Sequence, residues 1–334
     1  MRCAACCALL NDARIVRRRP APPPSLACCA GALLLAACTA SAPTPAVAPG
    51  PLQPVQVVYA AGDIARCRHP DPRWSGASDT AAVVAAGLAA DPDAVVLTLG
   101  DHTYPVGTAA EFANCYGPTW GRFKDRTWPS PGNHEYYTKG ALPYFAYFGE
   151  RAGRGYYSLR LGAWRILSLD SNLGPGPHAA QLAWLKEELA REGANNDVPG
   201  TTPCTLAFWH HPLYSSGGHG SMPKMKDAWA LLHAAGAELV LSGHDHDYER
   251  FAPQDAQGRL DKAGGVRQFV VGTGGAYATP FLRLRPHSEA RDASRNAVLR
   301  LRLYAGGYDW ELLEATPPTL PNASPPDRGS ARCH

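Results

Sequence analysis

The chain lacks an apolar run long enough to cross a bilayer. Leu26–Ala37 (LACCAGALLLAA) is uncharged and mostly apolar over twelve residues, short of the roughly 20 that a spanning helix needs. Net charge is also scarce. The formal total is +3, and most of it sits at the N-terminus. Residues 1–37 carry Arg2, Arg14, Arg17, Arg18 and Arg19 against Asp12 alone, which leaves 27 basic and 28 acidic residues for the rest of the 334. That balance disfavours a globally basic nucleic-acid binder, and no nucleic acid is expected as a partner. No internal repeat is evident, which argues against a solenoid or a propeller. With 45% apolar, 9% aromatic and 18% charged residues, the composition also excludes a disordered chain, a coiled coil and a collagen.

The short apolar run has a different use. Arg17-Arg18-Arg19 precede it, the order of a signal peptide with a basic n-region and an apolar core. Leu35-Ala36-Ala37-Cys38 closes it and resembles the bacterial lipobox, whose cysteine becomes the lipidated N-terminus. Acyl chains on Cys38 would hold the domain on a membrane surface with nothing crossing it. The expectation is therefore export to a bacterial cell envelope as a lipoprotein. Cleavage after Ala40-Ser41-Ala42, giving a soluble secreted protein, is the alternative. Residues 1–15 are unusual ahead of such a leader, and Val16 is a candidate start.

Behind the leader, 38–54 reads as a Pro/Ala linker, 55–314 as one catalytic domain and 315–334 as a Pro-rich, disordered tail. An export signal implies an oxidising compartment. Five cysteines remain there, Cys38, Cys67, Cys115, Cys204 and Cys333. Cys67 and Cys115 each follow a candidate metal-binding loop, so a Cys67–Cys115 bridge is expected.

Within the domain, apolar runs alternate with helical patterns. Buried strands are expected at Val55–Ala61, Ala94–Leu99, Thr205–Trp209 and Ala237–Leu241, each a short unbroken apolar run. Thr127–Pro131 reads as a short strand, and Tyr156–Arg160 with Ala163–Leu169 as a hairpin. Helices are expected at Ser78–Ala90, with Ser78 or Asp79 as its N-cap, at His178–Arg191 and at Met222–Ala235. Gly265–Val271, Ala297–Tyr304 and Tyr308–Leu313 make a strand-rich end. Alternation followed by strands suggests layered α/β with two sheets.

Five of these strands end in polar clusters: Gly62-Asp63; Gly100-Asp101-His102-Thr103-Tyr104; Gly132-Asn133-His134-Glu135; His210-His211-Pro212; and Gly243-His244-Asp245-His246. In open α/β sheets ligands bind beyond the carboxyl ends of the strands, so the five can meet on one rim. The donors are oxygen and imidazole without thiolate, which suits Mn, Fe or Zn. Seven or eight donors exceed one tetrahedral ion and suit two ions sharing a carboxylate. Such a pair can clamp both the attacking and the leaving oxygen of an in-line displacement. In the tandem His210-His211, strand alternation would send the two rings to opposite faces.

The ordered blocks GD, GDxxY, GNHE, HHP and GHDHDYER resemble those of the calcineurin-like metallophosphoesterases. Tyr104 and Tyr248-Glu249-Arg250 resemble the purple acid phosphatase branch in particular. The resemblance implies a four-layer α/β/β/α sandwich of two mixed sheets flanked by helices. It implies that Asp63, Tyr104 and His246 bind a first metal ion, that Asp101 bridges, and that Asn133, His210 and His244 bind a second. It gives His134 and His219 to the substrate, His134 as proton donor to the leaving group. The implied reaction is attack of a metal-bridging hydroxide on a small-molecule phosphomonoester. A phosphodiesterase or nucleotide hydrolase is the alternative, and a non-catalytic metal- or phosphate-binding lipoprotein a further one. No protein partner is expected.

Two departures stand out. The first block, Gly62-Asp63-Ile64-Ala65-Arg66-Cys67, lacks the Asp-x-His or Asp-x-Gly of many relatives. The first metal then depends on Tyr104, and Fe(III) on that phenolate would colour the protein. Asp247 stands where relatives commonly carry an apolar residue. Glu135 is a candidate for orienting a neighbouring histidine, and Asp170 for supporting a ligand or capping a turn. Trp209, Tyr214, Tyr136 and Tyr137 are expected to pack on the rim, with stacking on an aromatic or nucleoside leaving group as the alternative.

Overall fold

The computed structural model describes residues 56–68, 71, 75–191, 204–317 and 325–334. The leader, Cys38 and the 38–54 linker lie outside the described residues. Two sheets carry the fold. The first orders β15 (Arg328–Arg332), β14 (Gly307–Glu314), β13 (Ala297–Tyr304), β1 (Gln56–Ala61), β3 (Val95–Leu99) and β5 (Thr127–Ser130) from edge to edge. The second orders β12 (Ser288–Asp292), β10 (Tyr248–Phe251), β11 (Arg267–Val271), β9 (Leu239–Ser242), β8 (Thr205–Phe208), β7 (Trp164–Ser168) and β6 (Tyr157–Leu161). A minor pair joins β2 (Ala65–Arg66) to β4 (Thr103–Tyr104).

Both sheets are mixed. β1, β3 and β5 run parallel, as do β7, β8, β9 and β11. The remaining ladder neighbours are antiparallel. Period-two alternation divides the second sheet's side chains between two cores. Ile166, Leu206, Phe208, Leu239, Leu241 and Phe269 join the cluster that includes the first sheet. Leu167, Ala207 and Val240 face the other way, onto Leu185 of α4 (Pro175–Ala190) and Trp229 and Leu232 of α5 (Lys226–Ala234). α1 (Ala77–Ala90) packs over β13 and β14. The layers are thus helix, sheet, sheet, helix. Two short helices, α2 (Ala109–Glu111) and α3 (Leu142–Phe148), lie in the connections.

Three sequence expectations need correction. The 315–334 segment is not a disordered tail along its described part. β15 pairs with β14 from Gly307↔Arg332 to Glu311↔Arg328, and Cys333 is disulfide-bonded to Cys204. Asp327 accepts hydrogen bonds from Tyr248 Oη (2.6 Å) and Arg250 Nε (2.7 Å). The polar strand RGSAR is thus held by backbone pairing, a covalent staple and an ion pair, none of which appears as hydrophobic patterning. Second, α1 begins after Gly76 without a side-chain cap, so Ser78 and Asp79 lie inside the helix. Third, the rings of His210 and His211 are not sent to opposite faces. β8 ends at Phe208, beyond the reach of strand alternation, and the two ring centroids lie 5.0 Å apart.

Cys67 joins Cys115, with Cα atoms 5.6 Å apart. The Cys204–Cys333 pairing closes a separation of 129 residues and has no counterpart in the sequence expectations.

Candidate metal centre

The parallel strands β1, β3, β5, β8 and β9 deliver their polar clusters to one rim, and the backbone there is unusual. Asp63, Asp101 and His244 adopt positive φ values of 59°, 52° and 71°. Non-glycine residues accept that region at a cost, Asp and His more readily than most. Gly100, with φ 87°, supplies the turn before Asp101. Gly132 leaves space for Asp101, because a Cβ there would overlap the carboxylate Oδ1.

Each aspartate has one oxygen tied down. Asp63 Oδ2 accepts from the backbone N–H of His244 at 2.8 Å, and Asp101 Oδ1 from that of His134 at 2.9 Å. The other oxygens face the site. Tyr104 Oη lies 2.6 Å from Asp63 Oδ1, 3.0 Å from Asp101 Oδ2 and 3.0 Å from His246 Nε2. On the far side of Asp101 Oδ2, His210 Nε2 lies at 3.3 Å. That nitrogen is 3.0 Å from Asn133 Oδ1 and 3.3 Å from His244 Nδ1. The seven side chains thus form two lobes with Asp101 Oδ2 common to both. Asp63, Tyr104 and His246 make one lobe. Asn133, His210 and His244 make the other.

The hydrogen-bond partners of the rings show what the lobes lack. His246 Nδ1 lies 2.7 Å from the Tyr277 carbonyl and His210 Nδ1 2.8 Å from the Leu99 carbonyl. A carbonyl only accepts, so both Nδ1 atoms carry hydrogen. Each Nε2 is left pointing at carboxylate, phenol or amide oxygens, where either a proton or a metal ion supplies the missing positive charge. Acceptors facing acceptors, buried from water, call for a cation.

The electrostatics agree. Burial alone would raise the Asp101 carboxyl, but His210 and His134 hold it well below its ordinary value. Burial would likewise lower His210, yet Asp101 lifts it to about 10. His246 is raised in the same sense by Asp63 against its own burial. Protons on these rings are one way to supply positive charge. A metal pair is another, and the donor chemistry fits hard to borderline ions. Burial, then Asp101 and Asp63, push the Tyr104 phenol well up.

His134 and His219 flank the lobes. His134 is partly exposed; its ring lies 4.3 Å from that of Tyr104 and its Nε2 3.8 Å from Asp101 Oδ2. Its Nδ1 lies 2.7 Å from the Pro105 carbonyl, so Nε2 is the atom presented to the cleft. The exposed His219 lies over His244, with centroids 4.7 Å apart. His211 also reaches the cluster. Its ring lies tilted against that of His244 with centroids 4.4 Å apart, its Nδ1 meets Ser171 Oγ at 2.8 Å, and burial followed by His210 lowers it to about 3.

Supporting residues act differently from expectation. Glu135 holds backbone rather than hydrogen-bonding a histidine ring. Its buried carboxylate accepts from the N–H groups of Asp101 (2.9 Å), His102 (2.8 Å) and Gly132 (2.7 Å), clamping the β3 and β5 loops together. Asp245 and Glu249, part of the last sequence block but given no role there, do the same for the loop that carries His219. Asp245 Oδ1 accepts from His219 N–H at 2.6 Å, and Glu249 Oε2 from Ser216 N–H at 2.7 Å. Their signal was membership of the last block, but the groups they hold lie about thirty residues away. Asp170 caps a turn by accepting from Asn172 N–H at 2.8 Å and also holds Tyr136 Oη.

Comparison with known proteins identifies the arrangement. The family model "Calcineurin-like phosphoesterase" matches residues 57–248, more than half of the chain. The chain belongs to the calcineurin-like phosphoesterase family. Among curated relatives, Purple acid phosphatase 15 of Arabidopsis thaliana is 30% identical over 55% of this chain and 40% of its own. Probable purple acid phosphatase 20 of the same plant is 32% identical over 49% of this chain and 43% of its own. This member of the family therefore spans less than half the length of these relatives. Among solved structures, purple acid phosphatase PPD1 from yellow lupin superposes with a TM-score of 0.64 at 18% identity, over 83% of this chain and 54% of that one. These similarities support the purple acid phosphatase-like branch.

Proposed function

We propose that the protein is an exported phosphomonoesterase with a dinuclear metal site. The observation that carries this reading is the pair of donor lobes meeting at Asp101 Oδ2. Asp63, Tyr104 and His246 would hold one ion, Asn133, His210 and His244 the other, with Asp101 to both. Such a pair of Fe, Mn or Zn ions supplies Lewis acidity toward phosphoryl oxygens and lowers the pKa of water.

The chain's own groups do the rest. His134, fixed through Nδ1 on the Pro105 carbonyl, presents Nε2 to the departing alkoxide and gives it a proton. His219, held by Asp245, faces the same space from the other side and donates to a phosphoryl oxygen. Glu135 holds the Asp101 and Gly132 N–H groups and Asp101 in turn the His134 N–H, which positions donor and phosphorus for in-line departure. The two disulfides, Cys67–Cys115 and Cys204–Cys333, support an oxidising destination. No helix among the described residues is long and apolar enough to cross a membrane. Attachment through Cys38 would need none.

The test is release of phosphate from an aryl phosphomonoester by the purified chain supplied with Fe, Mn or Zn, beside Asp101→Ala. Metal-dependent release lost in the variant is the expected result. Release from the diester analogue but not the monoester would replace the monoesterase reading. Phosphate binding without turnover of either ester would make the protein a binding lipoprotein.

A further inference from the structure

Beside His134 the cleft extends into a cavity of about 280 Å³ lined by Arg66, Arg68, Tyr104, Pro105, His134 and Tyr277. Tyr104 and His134 form its wall toward the metal lobes. Arg66 and Arg68 line it too, although neither metal binding nor proton transfer calls for a cation there. We propose that this cavity binds a second anionic group on the leaving-group side of the substrate, with Arg66 and Arg68 as its specificity residues. The substrate is then a phosphomonoester whose alcohol also carries a phosphate or a carboxylate. The proposal rests on the phosphomonoesterase reading.

The segment that carries the two arginines is fixed to the catalytic loop. β2 pairs in parallel with β4, placing Arg66 opposite Tyr104. Cys67 N–H donates to the Tyr104 carbonyl at 3.0 Å, and Arg66 N–H to Ser75 Oγ at 3.1 Å. Between the arginines, Cys67 is turned away into its disulfide with Cys115. β2 ends at Arg66 and the chain turns at Cys67 and Arg68, and across that turn both arginines line the cavity. The staple ties this turn down beside His134, with which both arginines share the cavity wall.

Their charge is available. Both side chains are exposed, and no ion pair to either is found among the described residues. Arg66 instead lies over the Tyr277 ring, 5.6 Å from its centroid. That stacking leaves the edge of the guanidinium, where its N–H donors lie, free for an oxyanion. A planar fork matches phosphate and carboxylate in two-point fashion, which a lysine does not. His134 belongs both to the edge of the lobes and to the cavity lining, which makes the geometry directional. Phosphorus sits over the lobes, the leaving oxygen at His134, and whatever the alcohol carries next falls among Arg66, Arg68 and Tyr277.

The experiment uses three matched alkyl esters on the metal-loaded full chain: propyl phosphate, 3-phosphonooxypropionate and 1,3-propanediol bisphosphate. They differ only in a neutral, carboxylate or phosphate terminus. The expected result is a kcat/KM about tenfold or more higher for the two anionic-ended esters, as charge-assisted bonds to arginine imply. The preference should shrink with added salt, because the arginines are exposed. Arg66→Gln/Arg68→Gln should abolish the preference, and Arg66→Lys/Arg68→Lys should restore only part of it. Equal kcat/KM across the three esters, or a preference unchanged in the double glutamine variant, would overturn the proposal while leaving phosphomonoesterase activity in place. Should no ester be turned over, the activity reading falls by itself, and calorimetry decides the subsite. Pyrophosphate binding about tenfold tighter than phosphate, lost in the double glutamine variant, supports the subsite; equal affinities overturn it.

Discussion

At the scale of single residues, the site depends on atoms that are already partly occupied. Asp63 and Asp101 each have one oxygen fixed by a backbone N–H and one turned inward. His210 and His246 each have one nitrogen fixed by a carbonyl and one turned inward. The residue types were legible from the sequence because every block is short and local. Glu135 was legible only as a neighbour, since its three donors come from two loops brought together by adjacent parallel strands. Two predictions belong here. His134→Ala should keep its metal ions and lose about 10²- to 10⁴-fold in kcat, measured by elemental analysis and aryl phosphate turnover. Glu135→Ala should lower stability by about 3 kcal/mol or more, because three buried N–H groups lose their acceptor, and should weaken metal retention as well. Denaturant unfolding of metal-stripped protein, read beside metal content, checks both; unchanged stability would mean the clamp contributes nothing.

At the scale of elements, apolar runs carried the message and polar ones did not. β1, β3, β8 and β9 are nearly continuous apolar strands in parallel ladders, which is why the sequence shows them. β12 (SEARD) and β15 (RGSAR) are polar edge strands whose burial alternates between partial and none. What holds β15 is its pairing with β14, the Asp327 contacts and the Cys204–Cys333 staple, none of them a hydropathy signal. A chain-entropy argument gives a loop of that size about 4–5 kcal/mol, with measured values often smaller. Cys333→Ala should therefore cost about 2–4 kcal/mol in chemical denaturation. The same loss should appear in the unmutated chain on full reduction of that bridge. Turnover under native conditions should change little, because β15 lies on the opposite edge of the first sheet from β5. A variant as stable as the parent would show that pairing alone secures the strand.

For the whole molecule, the two sheets pack face to face and leave a seam where the chain's last strand is tied to the body. Glu238 sits at that seam, its Oε2 2.8 Å from His334 Nδ1. Burial pushes its carboxyl up to about 7 from an ordinary 4.5, against the opposing bond from His334 N–H. The folded state thus binds a proton more readily than the unfolded chain between those values. Stability then falls as pH rises through that window. The group is only partly shielded, so the change is about 1–2 kcal/mol rather than the full shift. Glu238→Gln should remove that slope, and melting temperatures from pH 4.5 to 7.5 in both proteins would show it; parallel curves would contradict it.

The central claim is that seven side chains hold two ions through one common carboxylate oxygen. It is tested most directly by the metal content of the purified chain and of Asp101→Ala, by elemental analysis after loading with Fe, Mn or Zn. Two ions per chain, with both lost from the variant, is the expected result. A single ion in the parent chain, or two retained without Asp101, would contradict it.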